Sequence, residues 1–167
     1  MSNKKEIGLA IIGCGTIGRI RAMMAKDYPG ISWIGLCDIN EELGKKLLND
    51  CEADFFTTDY NDLVKRSEVN AVIIATDENH HFGPIMASLE NESSLFIEKP
   101  LATDLVESRD VLNKIKSTNV DAVLGYTQRF RRRFLAVKQK LIDQKIGHVT
   151  SVVTRAFMNS MVPIATV

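Results

Sequence analysis

Hydrophobic and polar positions along the chain alternate between two periods. Ile7 to Ile12 is an unbroken apolar run, glycine-rich residues follow, and the amphipathic stretch Ile17 to Tyr28 closes at Pro29-Gly30, the pattern of a strand, a tight turn and a helix. The unit then repeats. Ile31 to Cys37 is apolar and ends at Asp38, and Asn40-Glu41-Glu42 supplies an N-cap residue and first-turn acids to a helix carrying Leu43, Leu47 and Leu48. A weaker strand is expected near Ala53 to Phe56, a short helix around Tyr60 to Arg66, a strand buried on both faces at Ala71 to Ala75, and a helix over Pro84 to Glu90. Leu95 to Ile97 is a short strand before Glu98-Lys99-Pro100, Thr103 can cap a helix with Leu105, Leu112 and Ile115 on one face, and Val120 to Leu124 is a sixth strand. Strands alternating with helices through short turns predict right-handed crossovers and a doubly wound parallel α/β sheet covered on both sides, over residues 1–125.

Residues 126–167 differ in character. Phe130, Phe134, Val137 and Leu141 mark one face of a connecting helix, and Val149 to Phe157 reads as an isolated strand, the beginning of a second domain. A lone apolar strand leaves backbone groups unpaired, so a homo-oligomer formed through this C-terminal segment is expected.

Composition narrows the partners. With 167 residues, 45% hydrophobic, and 21 Lys+Arg balancing 21 Asp+Glu, the chain has the make-up of about one globular domain and lacks the bulk charge on which non-specific nucleic-acid or anionic-membrane binding relies. A local basic cluster exists at Arg129, Arg131, Arg132, Arg133, Lys138, Lys140 and Lys145. It lies opposite the apolar helical face and has no aromatic residues interleaved for base stacking, so it reads as a solvated face and no nucleic-acid partner is expected. No run of about 18 apolar residues occurs and no signal-peptide pattern opens the chain, which predicts no membrane partner and a cytoplasmic protein. Cys14, Cys37 and Cys51 lack CxxC spacing and, with three histidines, form no zinc pattern. Reduced, packed thiols and no metal site are expected.

The chemistry begins at Gly13-Cys14-Gly15-Thr16-Ile17-Gly18, a GxGxxG between strand and helix, with the acidic Asp38 ending the next strand twenty residues after Gly18. The first glycine allows the turn, the second lets backbone approach a pyrophosphate, and the third lets helix and strand pack closely, while the helix N-terminus favours phosphate charge. An adenosyl-type ligand or a structural glycine turn are the alternatives. Asp38 can accept from both adenosine ribose hydroxyls and would repel a 2′-phosphate, which favours NAD over NADP, although it could also cap the helix near Asn40. Ala75-Thr76 opens a loop at the carboxyl edge of the sheet, and Asp77-Glu78-Asn79-His80-His81 leads into the next helix. His81 is a candidate for cofactor or substrate contact, or else a packing or capping residue at a helix start; His80 is the weaker candidate. Lys99, placed at the same edge, could polarise a hydroxyl or relay its proton; on the tripeptide alone it would pass for a surface lysine before a turn proline.

GCGTIG, the spacing of Ala75-Thr76 to His81, EKPLA at Glu98 to Ala102 and GYTQRF at Gly125 to Phe130, in that order, resemble the Gfo/Idh/MocA oxidoreductase family over nearly the whole chain. The resemblance implies an NAD-dependent enzyme that moves a hydride between nicotinamide and a hydroxyl-bearing carbon of a sugar, polyol or similar small molecule. It also implies that Lys99 is the motif lysine near the substrate hydroxyl, Pro100 an often cis proline, Glu98 a support on the nicotinamide side, and Arg129 the arginine after the sixth strand. Two departures stand out. Asp77-Glu78 replaces the family's usual Pro-Asn, and the chain is about half the family's usual length, with no counterpart to the aspartate and histidine that a second α/β domain contributes. By this resemblance the chain reads as an N-terminal half, incomplete as a catalyst alone, the alternative being a non-catalytic NAD-binding sensor or partner-binding module.

Overall fold

A computed structural model describes residues 6–155. Six parallel strands, β1 (Ile7–Ile12), β2 (Ile31–Cys37), β3 (Phe55–Thr57), β4 (Ala71–Ile74), β5 (Ser94–Ile97) and β6 (Ala122–Leu124), lie in the order β3-β2-β1-β4-β5-β6. The chain winds outward from β1 in one direction, then returns and winds outward in the other. This is the doubly wound Rossmann arrangement, with its topological switch between β1 and β4.

Alternation along the buried strands divides the core in two. Leu9, Ile11, Ile34 and Leu36 pack beneath α1 (Thr16–Lys26) and α2 (Glu41–Cys51), against Ala22 and Leu47. Ala10, Ile12, Val72, Ile74, Leu95 and Ile97 point the other way, against Leu63 of α3 (Tyr60–Val64), Ile85 and Leu89 of α4 (Phe82–Glu90) and Val111 of α5 (Leu105–Ser117). Each fully buried Ile or Leu contributes about 1.5–3 kcal/mol of transfer free energy, so both faces of the central strands are committed. That is why β1, β2 and β4 read as continuous apolar runs instead of alternating ones.

The register places one residue from each strand end along a single edge. Ile12 lies beside both Cys37 and Ile74, Ile74 beside Ile97, and Ile97 beside Leu124. The residues that follow are tied in by ladder bonds: Gly13 N–H donates to the Cys37 carbonyl at 2.8 Å, Ala75 to Ile12 at 2.8 Å, Glu98 to Ile74 at 2.9 Å and Gly125 to Ile97 at 2.7 Å. Asp38, Gly13, Ala75, Glu98 and Gly125 therefore stand in that order along the carboxyl edge, where open α/β sheets bind ligands.

Three expectations are corrected. Asp104, not Thr103, caps α5, accepting from Val106 N–H at 2.7 Å and Glu107 N–H at 3.0 Å, while the Thr103 hydroxyl reaches Asn79 Oδ1 at 3.1 Å. The inward stripe of α5 passes through Val111 and Ile115, and Leu105 and Leu112, a quarter-turn away, are exposed. Finally, residues 149–155 form no strand, since among the described residues no edge pairs with them; Phe157 lies outside the described residues.

The chain divides into two compact units after Tyr126. In the second, a 3₁₀ turn (Thr127–Phe130) precedes α6 (Arg132–Ile142), so Phe130 falls in the turn instead of the helix. Phe134, Val137 and Leu141 are exposed, and the Arg133 guanidinium lies 5.1 Å from the centre of the Phe134 ring.

Candidate cofactor and active site

A cavity of about 650 Å³ opens over the switch point, lined among others by Gly13, Gly15, Asp38, Ile39, Leu43, Tyr60, Ala75, Thr76, Phe82 and Pro84. Its floor is the turn from β1 into α1. Gly13 has φ +98°, and a Cβ there would sit 2.5 Å from the Ala75 carbonyl, while a Cβ on Gly18 would come within 1.8 Å of the Gly13 oxygen. These two glycines are required by the protein's own packing. Gly15 is different: its φ of −65° suits any residue, and a Cβ would meet nothing within 4 Å. Gly15 nevertheless lines the cavity at the N-cap of α1, where backbone N–H groups and the helix dipole favour an anion. Among the described residues nothing calls for a glycine at this position, whereas close approach of a ligand to the backbone would.

Asp38 closes the same wall. One carboxylate oxygen accepts from Cys14 N–H at 2.6 Å and the other from Asn40 N–H at 2.8 Å, which fixes the carboxylate plane at the rim and leaves lone pairs on both oxygens for a diol. It does not cap α2; the Asn40 side chain does, accepting from Leu43 N–H at 3.0 Å. Thr76 supplies a third polar feature, since its Oγ1 is buried, has no hydrogen-bond partner among the described residues and belongs to a residue lining the cavity. The open space at Gly15, the held carboxylate and the orphaned hydroxyl are together what a dinucleotide would satisfy.

Thr16 and Ile17 open α1, and Ile17 is exposed. The thiols behind this wall are buried, and burial pushes Cys14 and Cys37 up to about 12, with the Asp38 carboxylate adding to the effect. Cys51 is raised by burial as well. They are packing residues, and Cys14 Sγ contacts the Cys37 carbonyl at 3.7 Å.

The other side of the switch point is built differently. His81 is 1% exposed and does not line the cavity: Nδ1 is 2.7 Å from the Pro100 carbonyl and Nε2 is 3.2 Å from the Thr76 carbonyl. Both ring nitrogens face carbonyl oxygens, and whichever carries the proton donates to its carbonyl, so the buried ring lies between the loops after β4 and β5 and faces away from the cavity lining. His80, the weaker candidate in the sequence, does line the cavity, together with Asp77 and Asn79. Glu98 is largely buried, Lys99 is exposed, and the Lys99–Pro100 peptide is cis. Arg129 belongs to the second unit.

Sequence reasoning missed Arg21. It lies on α1 one turn beyond Gly18, and its Nε donates to Glu98 Oε1 at 2.8 Å while Nη2 donates to the same oxygen. The signal was faint, a single arginine on a helix face otherwise made of Gly18, Ala22 and Ala25, and its partner is 77 residues away.

Comparison with known proteins decides what this edge belongs to. The family described as "Oxidoreductase family, NAD-binding Rossmann fold" (GFO_IDH_MocA) matches residues 7–126. The chain belongs to this family. Among curated relatives, the scyllo-inositol 2-dehydrogenase (NAD(+)) of Bacillus subtilis (strain 168) is 25% identical over 143 residues, 85% of this chain and 42% of the relative. The myo-inositol 2-dehydrogenase of Thermotoga maritima is 25% identical over 149 residues, 88% of this chain and 45% of the relative. A crystal structure of scyllo-inositol dehydrogenase from Lactobacillus casei, with bound cofactor NAD(H) and scyllo-inositol, superposes with a TM-score of 0.82 at 24% identity, covering 87% of this chain and 44% of that one. The chain thus spans less than half the length of the family members it matches, and what it shares with them is the NAD-binding Rossmann fold. Among the described residues no helix is long and apolar enough to cross a membrane, and no group of three or more His, Cys, Asp or Glu side chains is placed to hold a metal ion.

Proposed function

We propose that this chain is the cofactor-binding part of a cytoplasmic NAD-dependent dehydrogenase that acts on a sugar, a polyol or a similar hydroxyl-bearing small molecule. The observation that carries the reading is Asp38, held through both carboxylate oxygens by Cys14 and Asn40 N–H groups at the rim of a cavity whose floor is the open Gly15 turn. A carboxylate fixed there accepts from free 2′- and 3′-hydroxyls and repels a 2′-phosphate, which favours NAD over NADP. The inositol dehydrogenases among the relatives support a polyol as substrate.

A bound nicotinamide cofactor would supply the acceptor for the hydride of the substrate carbon. Everything else falls to the chain. The Gly13–Gly18 turn and the N-terminus of α1 hold the pyrophosphate, Asp38 fixes the ribose, and the Thr76 hydroxyl completes its hydrogen bonding on the ligand. Lys99, at the end of β5, holds or moves the proton of the substrate hydroxyl. Because Lys99 is exposed, water has free access to that hydroxyl, and the 167-residue chain is expected to bind NAD without family-typical turnover of polyols. The same reading includes a homo-oligomer. Val152 and Val153 are 74% and 83% exposed, and a second copy of this chain covering them predicts a larger sedimenting species than a version ending at Gly147; two identical monomers would refute that part.

The test is a pair of titrations with NAD and NADP. The unaltered chain should prefer NAD, and the double change Asp38→Ser with Ile39→Arg should weaken NAD and improve NADP. Unchanged relative affinities would overturn the cofactor assignment.

A further inference from the structure

The Arg21–Glu98 pair has a geometry that a simple staple between helix and sheet does not require. Arg21 directs two N–H groups, Nε and Nη2, at the single oxygen Oε1, and its guanidinium lies 5.1 Å from the centre of the Phe96 ring. Both side chains are mostly withdrawn from water, 22% and 13% exposed, so the attraction is screened less than that of a surface pair. A guanidinium fork usually spreads over both oxygens of a carboxylate. Here Oε2 is left over, and among the described residues none donates to it. It is not left over for lack of neighbours. A Cβ on Gly125 would come 3.1 Å from Oε2 and 3.0 Å from the Phe96 ring, so the absence of a side chain at the end of β6 is what leaves Glu98 in this position.

We propose that Arg21 is a positioning residue: by pinning Oε1 against Phe96 it presents Oε2 of Glu98, at the carboxyl edge between Ala75 and Gly125, as the acceptor for the carboxamide N–H of a bound nicotinamide. This rests on reading the cavity as a dinucleotide site and on the nicotinamide-side role that the family resemblance implies for Glu98, which does not itself line the described cavity but follows β5 beside Ala75, which does; the new element is Arg21. Charge supports the assignment. An anionic acceptor suits a neutral amide donor and a ring that is cationic in the oxidised cofactor, and it would repel a phosphate or carboxylate placed there. The pairing also links the two ends of the site, because Arg21 projects from the helix whose N-terminus faces the pyrophosphate position.

The experiment compares two ligands that share every group except nicotinamide. NADH and ADP-ribose are titrated against the 167-residue chain and its Arg21→Met, Arg21→Lys and Gly125→Ala variants, with thermal melting of each and the emission of bound NADH recorded. The unaltered chain should bind NADH several-fold more tightly than ADP-ribose. Arg21→Met should remove most of that preference, and the emission change of bound NADH with it, while ADP-ribose affinity stays within about twofold; Arg21→Lys should restore part of it. Gly125→Ala keeps the ion pair but crowds Oε2, and should show the same selective loss, so the proposal stays testable if Arg21→Met fails to fold. Equal weakening of both ligands, or an unchanged preference in Arg21→Met and Gly125→Ala, would overturn the positioning role and leave the dinucleotide reading standing. Failure of the unaltered chain to bind either ligand would overturn both.

Discussion

The two sides of the switch point hold their candidate site residues by different means. On the β1–β2 side, the GxGxxG turn and Asp38 are fixed by backbone: Cys14 and Asn40 N–H groups hold the carboxylate, and Gly13 and Gly18 are demanded by contacts of main chain with main chain. On the β4–β5 side, long side chains do the holding, with His81 joining the carbonyls of Thr76 and Pro100 and Arg21 reaching Glu98 across 77 positions of sequence. Apart from the contact of Gly13 with the Ala75 and Thr76 backbone, the first side is built within residues 13–40. The second exists only once the sheet order is complete.

The largest effect should come from breaking the first side. Gly18→Ala puts a Cβ within 1.8 Å of the Gly13 oxygen and should cost about 3 kcal/mol or more of stability, read from denaturant midpoints, with loss of NAD binding. Gly15→Ala sharpens the contrast within the same turn. None of the described residues lies within 4 Å of its new methyl group, so stability should change by less than about 1 kcal/mol, whereas calorimetric NAD affinity should fall at least about tenfold, or 1.4 kcal/mol. Loss of stability equal to that of Gly18→Ala would mean that Gly15 serves the fold and not a ligand.

On the second side, His81→Phe fills the same space and removes both ring nitrogens. The carbonyl that accepts the ring N–H loses its donor, and thermal or chemical denaturation should register a loss of about 2 kcal/mol, with ADP-ribose affinity nearly unchanged because that ligand draws on the first side. A large fall in ADP-ribose binding would erase the distinction between the sides.

The smallest effect concerns the thiols, all three of which belong to the first side. A thiol raised by burial from its ordinary 9.0 to about 12, as at Cys14 and Cys37, favours folding in its protonated form. That contribution is fully present below pH 9 and is lost as pH rises from 9 towards 12. Denaturant midpoints should therefore be flat through neutrality and decline above pH 9, and thiol reagents at pH 8 should label the native chain slowly compared with the unfolded one.

What could be read in the sequence follows the same division. Ile7–Ile12 and Ile31–Cys37 match their strands end to end because burial on both faces writes an unbroken apolar run, and Asn40 is recognisable as a cap because capping is local. Asp104 was displaced by its neighbour Thr103, since two adjacent residues of cap-forming type cannot be ranked without knowing where the backbone turns. Val111 was missed beside Leu112 because the stripe of a helix is set by the neighbour it meets, and α5 meets α4 with Val111 and Ile115 inward. Val149 to Phe157 looked like a strand by composition alone, and strands need partners that composition does not supply. His81 stands out in the sequence with a ligand contact and a packing role both open, because only the fold brings the Pro100 carbonyl to its ring; Arg21 is invisible for the same reason.

Trp33 is the single tryptophan of the chain and sits near the start of β2, stacked on Phe55 at 6.3 Å with the Arg66 guanidinium 5.7 Å from its ring. Asp38 lies five residues further along the same extended segment, about 16 Å away at the usual strand rise. The indole leans along the strand over Gly35, three residues or about 10 Å short of Asp38, close enough to pass excitation to a reduced nicotinamide held at the carboxyl edge. With NADH bound, the indole's own emission should fall as the longer-wavelength emission of NADH excited through the indole rises, and free cofactor should give neither change; without NADH, the indole emission should report unfolding alone, so one unlabelled cuvette sample can follow both events.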